Sequence, residues 1–483
     1  MRTPATTALA FDLGATSGRA ILGILSEGRL SIREIHRFRN EPVQTANGLR
    51  WNTRALRSAL EEGLRKAVDH TAQLDSVGVD TWGVDYALMD ANGQLLDEPY
   101  AYRDPRTDGV MDPLIAKLGK SRIYASTGIQ FMQINTLYQL HSTPICGRAA
   151  TFLTMPDLLN YLLTGVAVCE YTNATTTQML DCRTRDWSPL VEEAGIPRRI
   201  LPEIVAAGTV LGGLTPPFLK LGPHLANTRV IAPACHDTGS AVAAVQANGP
   251  TAFLSSGTWS LLGTEISQPI TTEAALNLNF TNEGGVNATV RLLKNITGMW
   301  LLEGCMRHWP ALDYAAIVEA AKQCQPFRSL IDPDHSAFLH PPDMREAITV
   351  YCHSTAQPAP STPGEFARVI LESLALKYRV VLEQLESLTG TRYTEIRVIG
   401  GGSDNNLLNE FTANATGRRV VAGPKEATAL GNLIVQFAGA GAIESIDQGR
   451  DLISHSFEPR VFTPHLDWNA PYQTFQRLLQ CRH

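Results

Sequence analysis

One strand–turn–strand unit occurs twice in this chain, half its length apart, and nothing else in the sequence constrains the architecture as strongly. The first copy is an apolar strand, Ala8 to Phe11, then a turn rich in small residues, Asp12 to Arg19 (DLGATSGR), then a second apolar strand, Ala20 to Leu25. The second copy runs Thr251 to Leu254, turns through SSGTWS (Ser255 to Ser260) and continues with Leu261 and Leu262. Ala10-Phe11 and Ala252-Phe253 lie 242 positions apart in 483 residues, and the same offset pairs Thr16 with Thr258. A hairpin recurring at half the chain length is what a duplicated two-domain architecture leaves behind. The predicted division is 1–245 and 246–483. Length agrees, since about 150 residues per domain suggests two or three units and excludes a lone binding module.

The elements around the hairpins alternate between helix and strand. Leu56, Leu60, Leu64 and Val68 recur every four positions and predict a helix over Thr53–His70 that packs on a sheet. A strand follows at Ser76 to Val79 and runs into DTWGVD, Asp80 to Asp85, before an apolar run ending at Met89. Another strand, Val230 to Ala234, stops at Cys235, His236 and Asp237 and opens a small-residue helix, GSAVAAV, from Gly239. In the second half, Thr362-Pro363-Gly364-Glu365 has the form of a capping box with Pro at the first helical position, and Gly390 stands where a C-terminal cap belongs. The helix between them carries the stripe Phe366, Ile370, Leu374, Tyr378, Val381, Leu385 and Leu388. Glu395 to Ile399 then forms a strand ending in Gly400-Gly401-Gly402, with Ser403 and Asp404 expected to cap the next helix. This alternation predicts two α/β domains rather than a barrel.

Charge and cysteine usage narrow the partners. With 41 Lys and Arg against 47 Asp and Glu the net charge is −6, and no basic cluster is present to displace counterions from a phosphate backbone. No nucleic-acid partner is expected. The eight cysteines, at 146, 169, 182, 235, 305, 324, 352 and 481, include no close pair, so neither zinc nor a disulfide framework is implied. No apolar run reaches the roughly 18 residues of a membrane span, and Asp12 interrupts the N-terminal stretch before a signal-like core is complete. A reduced, cytoplasmic chain with no membrane partner is the expectation. The Asn-x-Thr triplets at Asn173, Asn287 and Asn295 would be glycosylation acceptors only after secretion.

Two nucleotide motifs fail on inspection. Gly119-Lys120-Ser121 ends like a P-loop, but the required upstream glycine is Leu114; the third glycine of a dinucleotide fingerprint begun at Gly400 would fall on Asn405. The turn Asp12 to Arg19 instead offers backbone N–H groups on small residues, two hydroxyls and an arginine, a combination suited to phosphate oxygens. Asp12 is then placed to hold Mg²⁺ through water, because that ion keeps part of its hydration shell beside nucleotide phosphates. SSGTWS reads as a second phosphate clamp with Thr258 at its tip. Asp237 could simply cap its helix, yet moving a phosphoryl group to an alcohol needs a carboxylate to orient the hydroxyl and take its proton, and Asp237 is the candidate. DTWGVD admits two readings: a core Trp with two solvated carboxylates, or a flat ring lining a sugar site.

In this order, DLGATSGR, DTWGVD, the HDT segment (His236 to Thr238), SSGTWSL and VIGGGSDN resemble the FGGY carbohydrate kinases of the actin and hexokinase superfamily. Within that family EIHRF (Glu34 to Phe38), AYRDPRT (Ala101 to Thr107), GIQF (Gly128 to Phe131), NTLYQL (Asn135 to Leu140), EYTNATTTQ (Glu170 to Gln178) and TNEGG (Thr281 to Gly285) resemble the branch that acts on L-rhamnulose. The resemblance runs from the first strand to about residue 435. It implies two duplicated ribonuclease H-like α/β domains with a cleft between them, the first binding sugar and the second nucleotide. It implies ATP-dependent, Mg²⁺-assisted phosphorylation of L-rhamnulose at its 1-hydroxyl, giving L-rhamnulose 1-phosphate and ADP, by a monomer or small homo-oligomer.

Carried over residue by residue, the resemblance makes Asp237 the general base and places His236, Thr238 and Gly83 at the sugar. Ala15, Thr16, Ser17, Gly18 and Arg19 match the first phosphate loop; Thr258 and Asn295 match nucleotide contacts, and Gly401 lies in the adenosine motif. Glu303 stands where the family pattern has a nucleotide-contacting Gln, and a carboxylate cannot donate that amide's hydrogen bond. Two rival readings are a family kinase for fuculose, xylulose or another ketose or polyol, and a catalytically dead sugar-binding regulator, which the retention of Asp12 and Asp237 argues against.

Overall fold

Seven of the eight residues of the strand Thr6–Leu13 are buried, as a continuous apolar run demands of a strand covered on both faces. In the computed structural model, which describes residues 5–143, 148–247, 249–339 and 341–480, this strand lies inside a six-stranded sheet. It pairs antiparallel with Ser17–Ser26 and parallel with Ser76–Thr81. Ser76–Thr81 pairs parallel in turn with Arg229–Ile231, and Val210–Gly213 closes that edge antiparallel. Arg29–Arg39 forms the other edge. The crossover helix is Thr53–Ala67, with Asn52 as its N-cap and Leu56, Leu60 and Leu64 buried. It ends three residues before the expected His70: Val68 is its C-cap and is 48% exposed, so it takes no part in the buried stripe.

The second hairpin joins Thr251–Ser256 to Trp259–Ile266. Its first strand pairs parallel with Glu395–Ile399, which pairs parallel with Arg419–Ala422, and Arg460–Phe462 lies antiparallel beyond. The succession of hairpin, two parallel strands and antiparallel edge is thus present twice, which is the duplication expected from the hairpins alone.

Both turns are tighter than the sequence suggests. Asp12 pairs with Arg19 and Leu13 with Gly18, so only Gly14–Thr16 separate the two strands; in the second hairpin only Gly257 and Thr258 do. Small, polar residues look like turn to a local reading, but here the ladder continues through them.

The chain forms two compact units. The first takes Met1–Gln246, Glu265–Leu292 and Ala427–Phe457, and the second Ala247–Thr264, Leu293–Glu426 and Glu458–His483. Two segments beyond residue 245 therefore belong to the first unit. Close packing explains one of them: a Cβ at Gly431, in the helix Ala427–Gly439, would stand 1.7 Å from the Ser240 carbonyl oxygen in the helix Asp237–Ala243.

The helix Pro363–Thr389 has the full capping box, and Gly390 adopts the left-handed conformation at its end. It is buried on far more than one stripe through Tyr378, and includes the ion pair Arg368–Glu372 at 2.5 Å. The next helix, Asn406–Thr416, is capped by Asn405, which accepts from the Leu408 N–H. Ser403 and Asp404, expected to cap it, lie instead in a short 3₁₀ turn, Gly401–Asp404, where Asp404 pairs with Lys425 and Arg460. Cys169, Cys182, Cys235, Cys305, Cys324 and Cys352 are free thiols; Cys146 and Cys481 lie outside the described residues. Among the described residues no helix is long and apolar enough to cross a membrane.

Candidate active site

Strand register brings the acidic residues of the first unit together. Asp12 faces Arg19 across the hairpin, and their side chains form an ion pair at 2.5 Å. On its other side Asp12 stands opposite Asp80 in the parallel ladder, so two carboxylates occupy adjacent strands at one level. Asp80 is fully buried. Burial raises its pKa well above the ordinary carboxylate range, the charges of Asp12 and then Asp237 raise it further, and the Asn432 amide opposes them. Asn432 Nδ2 donates to Asp80 Oδ2 at 2.6 Å, Gln436 Nε2 donates to Asn432 Oδ1 at 2.6 Å, and Ser76 Oγ donates to Gln436 Oε1 at 2.8 Å.

A bridge between Thr81 and His236 sets the HDT segment beside DTWGVD. His236 is the N-cap residue of the helix Asp237–Ala243, so Asp237 is its first helical residue. Asp237 Oδ1 accepts from the Thr238 N–H at 2.5 Å and the Thr238 hydroxyl at 3.1 Å, and stands 3.4 Å from His236 Nε2. Among the described residues Asp237 Oδ2 has no protein partner, and the side chain is 31% exposed. That leaves one oxygen of a held carboxylate able to accept a hydroxyl proton. Gly83 packs tightly: a Cβ there would meet Thr176 Oγ1 at 2.9 Å.

The two readings of DTWGVD resolve in part. Trp82 is 5% exposed, tilted against Trp51 with ring centroids 4.2 Å apart, and is a core residue. Neither carboxylate is solvated, however. Asp85 accepts from the Trp51 indole at 2.6 Å, the Trp82 indole at 2.9 Å and the Tyr102 N–H at 3.2 Å. Burial pushes its pKa up to about 6 against those hydrogen bonds.

In the second unit the tip of the second hairpin is held by a single loop. Gly298 N–H and Trp300 N–H donate to the Thr258 carbonyl, and Met299 N–H donates to the Gly257 carbonyl. The helix Trp300–Met306 follows and brings Glu303 to Thr258, whose hydroxyl donates to the carboxylate at 3.4 Å. Asn295 is half-buried on the strand Val290–Thr297 that leads into this loop. In the glycine run, Gly400 has φ +81°, and a Cβ at Gly402 would strike Ser256 Oγ at 2.0 Å. Gly401 is exposed with open space where its Cβ would be, so a ligand can approach the backbone there.

Asp12, Arg19, His236, Asp237 and Thr238 are thus gathered in one unit, and Thr258, Glu303 and the Gly401 turn in the other. Sequence reasoning missed Asp80, although its position at a strand end was a signal. It also missed Glu283 and Arg291 beside His236, and Asn432 beneath Asp80, which lies 352 positions away and carries no local signal.

Comparison with known proteins decides the family. The N-terminal domain profile of the FGGY family of carbohydrate kinases matches residues 7–243, and the C-terminal profile matches residues 252–440. The chain belongs to the FGGY family of carbohydrate kinases. Among FGGY relatives, the Rhamnulokinase of Bacteroides thetaiotaomicron is 45% identical over 481 residues, covering 98% of this chain and 99% of the relative. The Rhamnulokinase of Oceanobacillus iheyensis is 43% identical over 458 residues, 93% and 97% of the two chains. The ligand-bound xylulose kinase from Lactobacillus acidophilus superposes with a TM-score of 0.79 at 14% identity, covering 98% of this chain and 96% of that one, a likeness of fold. The FGGY fold is two-domain α/β, and its members are ATP-using sugar kinases.

Proposed function

We propose that this FGGY kinase transfers the γ-phosphoryl group of ATP to the 1-hydroxyl of L-rhamnulose, giving L-rhamnulose 1-phosphate and ADP. The observation that carries the substrate is 45% identity to a Rhamnulokinase along nearly the whole of both chains. Sugar is taken by the first unit at Gly83, His236, Asp237 and Thr238. Nucleotide is taken by the second at Thr258, Asn295 and Gly401, with Ala15–Arg19 of the first hairpin reaching the phosphates.

Asp237 Oδ2 accepts the proton of the sugar hydroxyl while Oδ1 stays fixed by Thr238. The new bond joins sugar O1 to the γ-phosphorus, the bond to the β-phosphate oxygen breaks, and ADP leaves with that electron pair. Such a base contributes on the order of 10²–10⁴-fold. Glu303 acts through Thr258 in place of the amide contact found elsewhere in the family, because a carboxylate only accepts.

Asp12 fits a water-mediated hold on Mg²⁺. This ion uses one or two carboxylates plus substrate phosphates rather than a protein cage, and Asp12 stands near the end of its strand level with Asp80 on the next. When bound, Mg²⁺ neutralises charge on the β- and γ-phosphate oxygens.

A panel of ketoses and polyols, scored by ADP release, tests the assignment. L-rhamnulose is expected to have the highest kcat/KM, and a higher value for fuculose, xylulose or any polyol would overturn the choice of sugar.

A further inference from the structure

We infer that Glu283 and Arg291 are positioning residues which lock His236 as the neutral imidazole protonated on Nε2, so that it presents a donor to Asp237. The inference rests on the proposed role of Asp237. Glu283 and Arg291 lie on successive strands, Thr281–Gly284 and Val290–Thr297, and both are buried, Arg291 completely. Their side chains stand 3.2 Å apart, and Arg291 Nε also donates to the Gly284 carbonyl at 2.8 Å. A buried guanidinium is tolerated because the carboxylate beside it supplies the opposite charge. Burial works to raise the Glu283 pKa, the Arg291 charge is the largest influence against it, and the net direction is downward.

The two ring nitrogens of His236 face different partners. Arg291 Nη2 lies 3.2 Å from Nδ1, and a guanidinium has donors only, so this contact is a hydrogen bond only when Nδ1 carries a lone pair. At the other end Nε2 stands 3.4 Å from Asp237 Oδ1, a carboxylate oxygen that only accepts. One neutral form satisfies both ends: bare Nδ1, protonated Nε2. The opposite tautomer would turn its N–H to Glu283, but would set it against the Arg291 N–H and a lone pair against a carboxylate at Asp237. An imidazolium would gain Glu283, 3.3 Å from Nδ1, and Asp237, 3.4 Å from Nε2, but would give up the Nδ1 lone pair that accepts from Arg291 and set an N–H against the guanidinium. The ion pair therefore holds the ring in the form that turns an N–H toward Asp237 Oδ1, 3.4 Å away, on which the Thr238 N–H and hydroxyl already converge, and leaves Oδ2 for the sugar. A second residue selecting the tautomer of an active-site histidine is a general means of aligning it.

Nitrogen NMR of the whole protein labelled at histidine, with the His236 signals assigned by their loss in His236→Asn, reads the tautomer without substrate. Protonated Nε2 with bare Nδ1 at pH 8 is the expected result; protonation on Nδ1, alone or in an imidazolium, overturns the inference. In kinetics, Glu283→Gln should lower kcat on the order of tenfold to a hundredfold, the range typical of a lost orienting partner, with the KM for ATP unchanged. Arg291→Lys, which keeps a charge and a donor, should lose less than Arg291→Met. No loss, or an equal effect on ATP and sugar parameters, would count against positioning. Should these variants fail to fold, the measurement on the unaltered protein still decides. If no ketose is phosphorylated the proposed function fails, while the tautomer result stands on its own.

Discussion

At the scale of single residues, the candidate site separates carboxylates by what surrounds them rather than by type. Asp85 is spent on two indole donors deep in the core, Asp80 is sealed beneath Asn432, and Asp237 alone combines a fixed oxygen with a free, accessible one. Replacing Asp237 with Asn keeps the shape and removes the proton acceptor. Turnover is expected to fall on the order of 10²–10⁴-fold with both KM values within a few-fold, measured by steady-state ADP release. Turnover close to that of the unaltered enzyme would refute the role. Asp237 was singled out in the sequence because phosphoryl transfer to an alcohol needs a carboxylate base, although capping its own helix is the plainer use of a carboxylate at that place. Glu283 and Arg291 were not, because TNEGG and the strand after it look like ordinary sheet, and their meaning depends on facing a histidine 47 and 55 positions earlier.

At the scale of elements, local chemistry predicts well where the element is self-sufficient. The helix Pro363–Thr389 carries its own start and stop, with Thr362 accepting from the Glu365 N–H and Glu365 accepting from the Thr362 N–H. Thr362→Ala removes one half of that box and should cost about 1 kcal/mol in chemical denaturation, with kcat unchanged. A cost near zero would mean that packing alone holds the helix end. The hairpin tips were read less well. Strings such as DLGATSGR and SSGTWS have turn composition, yet Asp12, Gly18, Arg19 and Ser260 belong to strands because neighbouring strands supply ladder partners through them. That extension matters for function, since it is the ladder, not a loose loop, that aligns Asp12 with both Arg19 and Asp80.

At the scale of the whole molecule, the proposed division of labour between the two units can be tested by hydrogen exchange. A bound ketose should slow exchange around Ser76–Thr81 and His236–Ala243, and ADP should slow it at the tip joining Thr251–Ser256 to Trp259–Ile266 and at Gly401–Asp404. ADP protection confined to the first unit would refute the nucleotide assignment. Taken alone, the amino-acid order determined what is periodic or nearest-neighbour: the duplicated hairpins, the alternating α/β elements, the capped helices and the strand-end carboxylates. Only the folded chain decided that Ala427–Phe457 returns to the first unit, that Asp80 stands level with Asp12, and that Glu283 and Arg291 meet one nitrogen of His236 while Asp237 faces the other. Those outcomes depend on close packing and on hydrogen bonds between groups tens to hundreds of residues apart, and such pairings leave no local pattern to read.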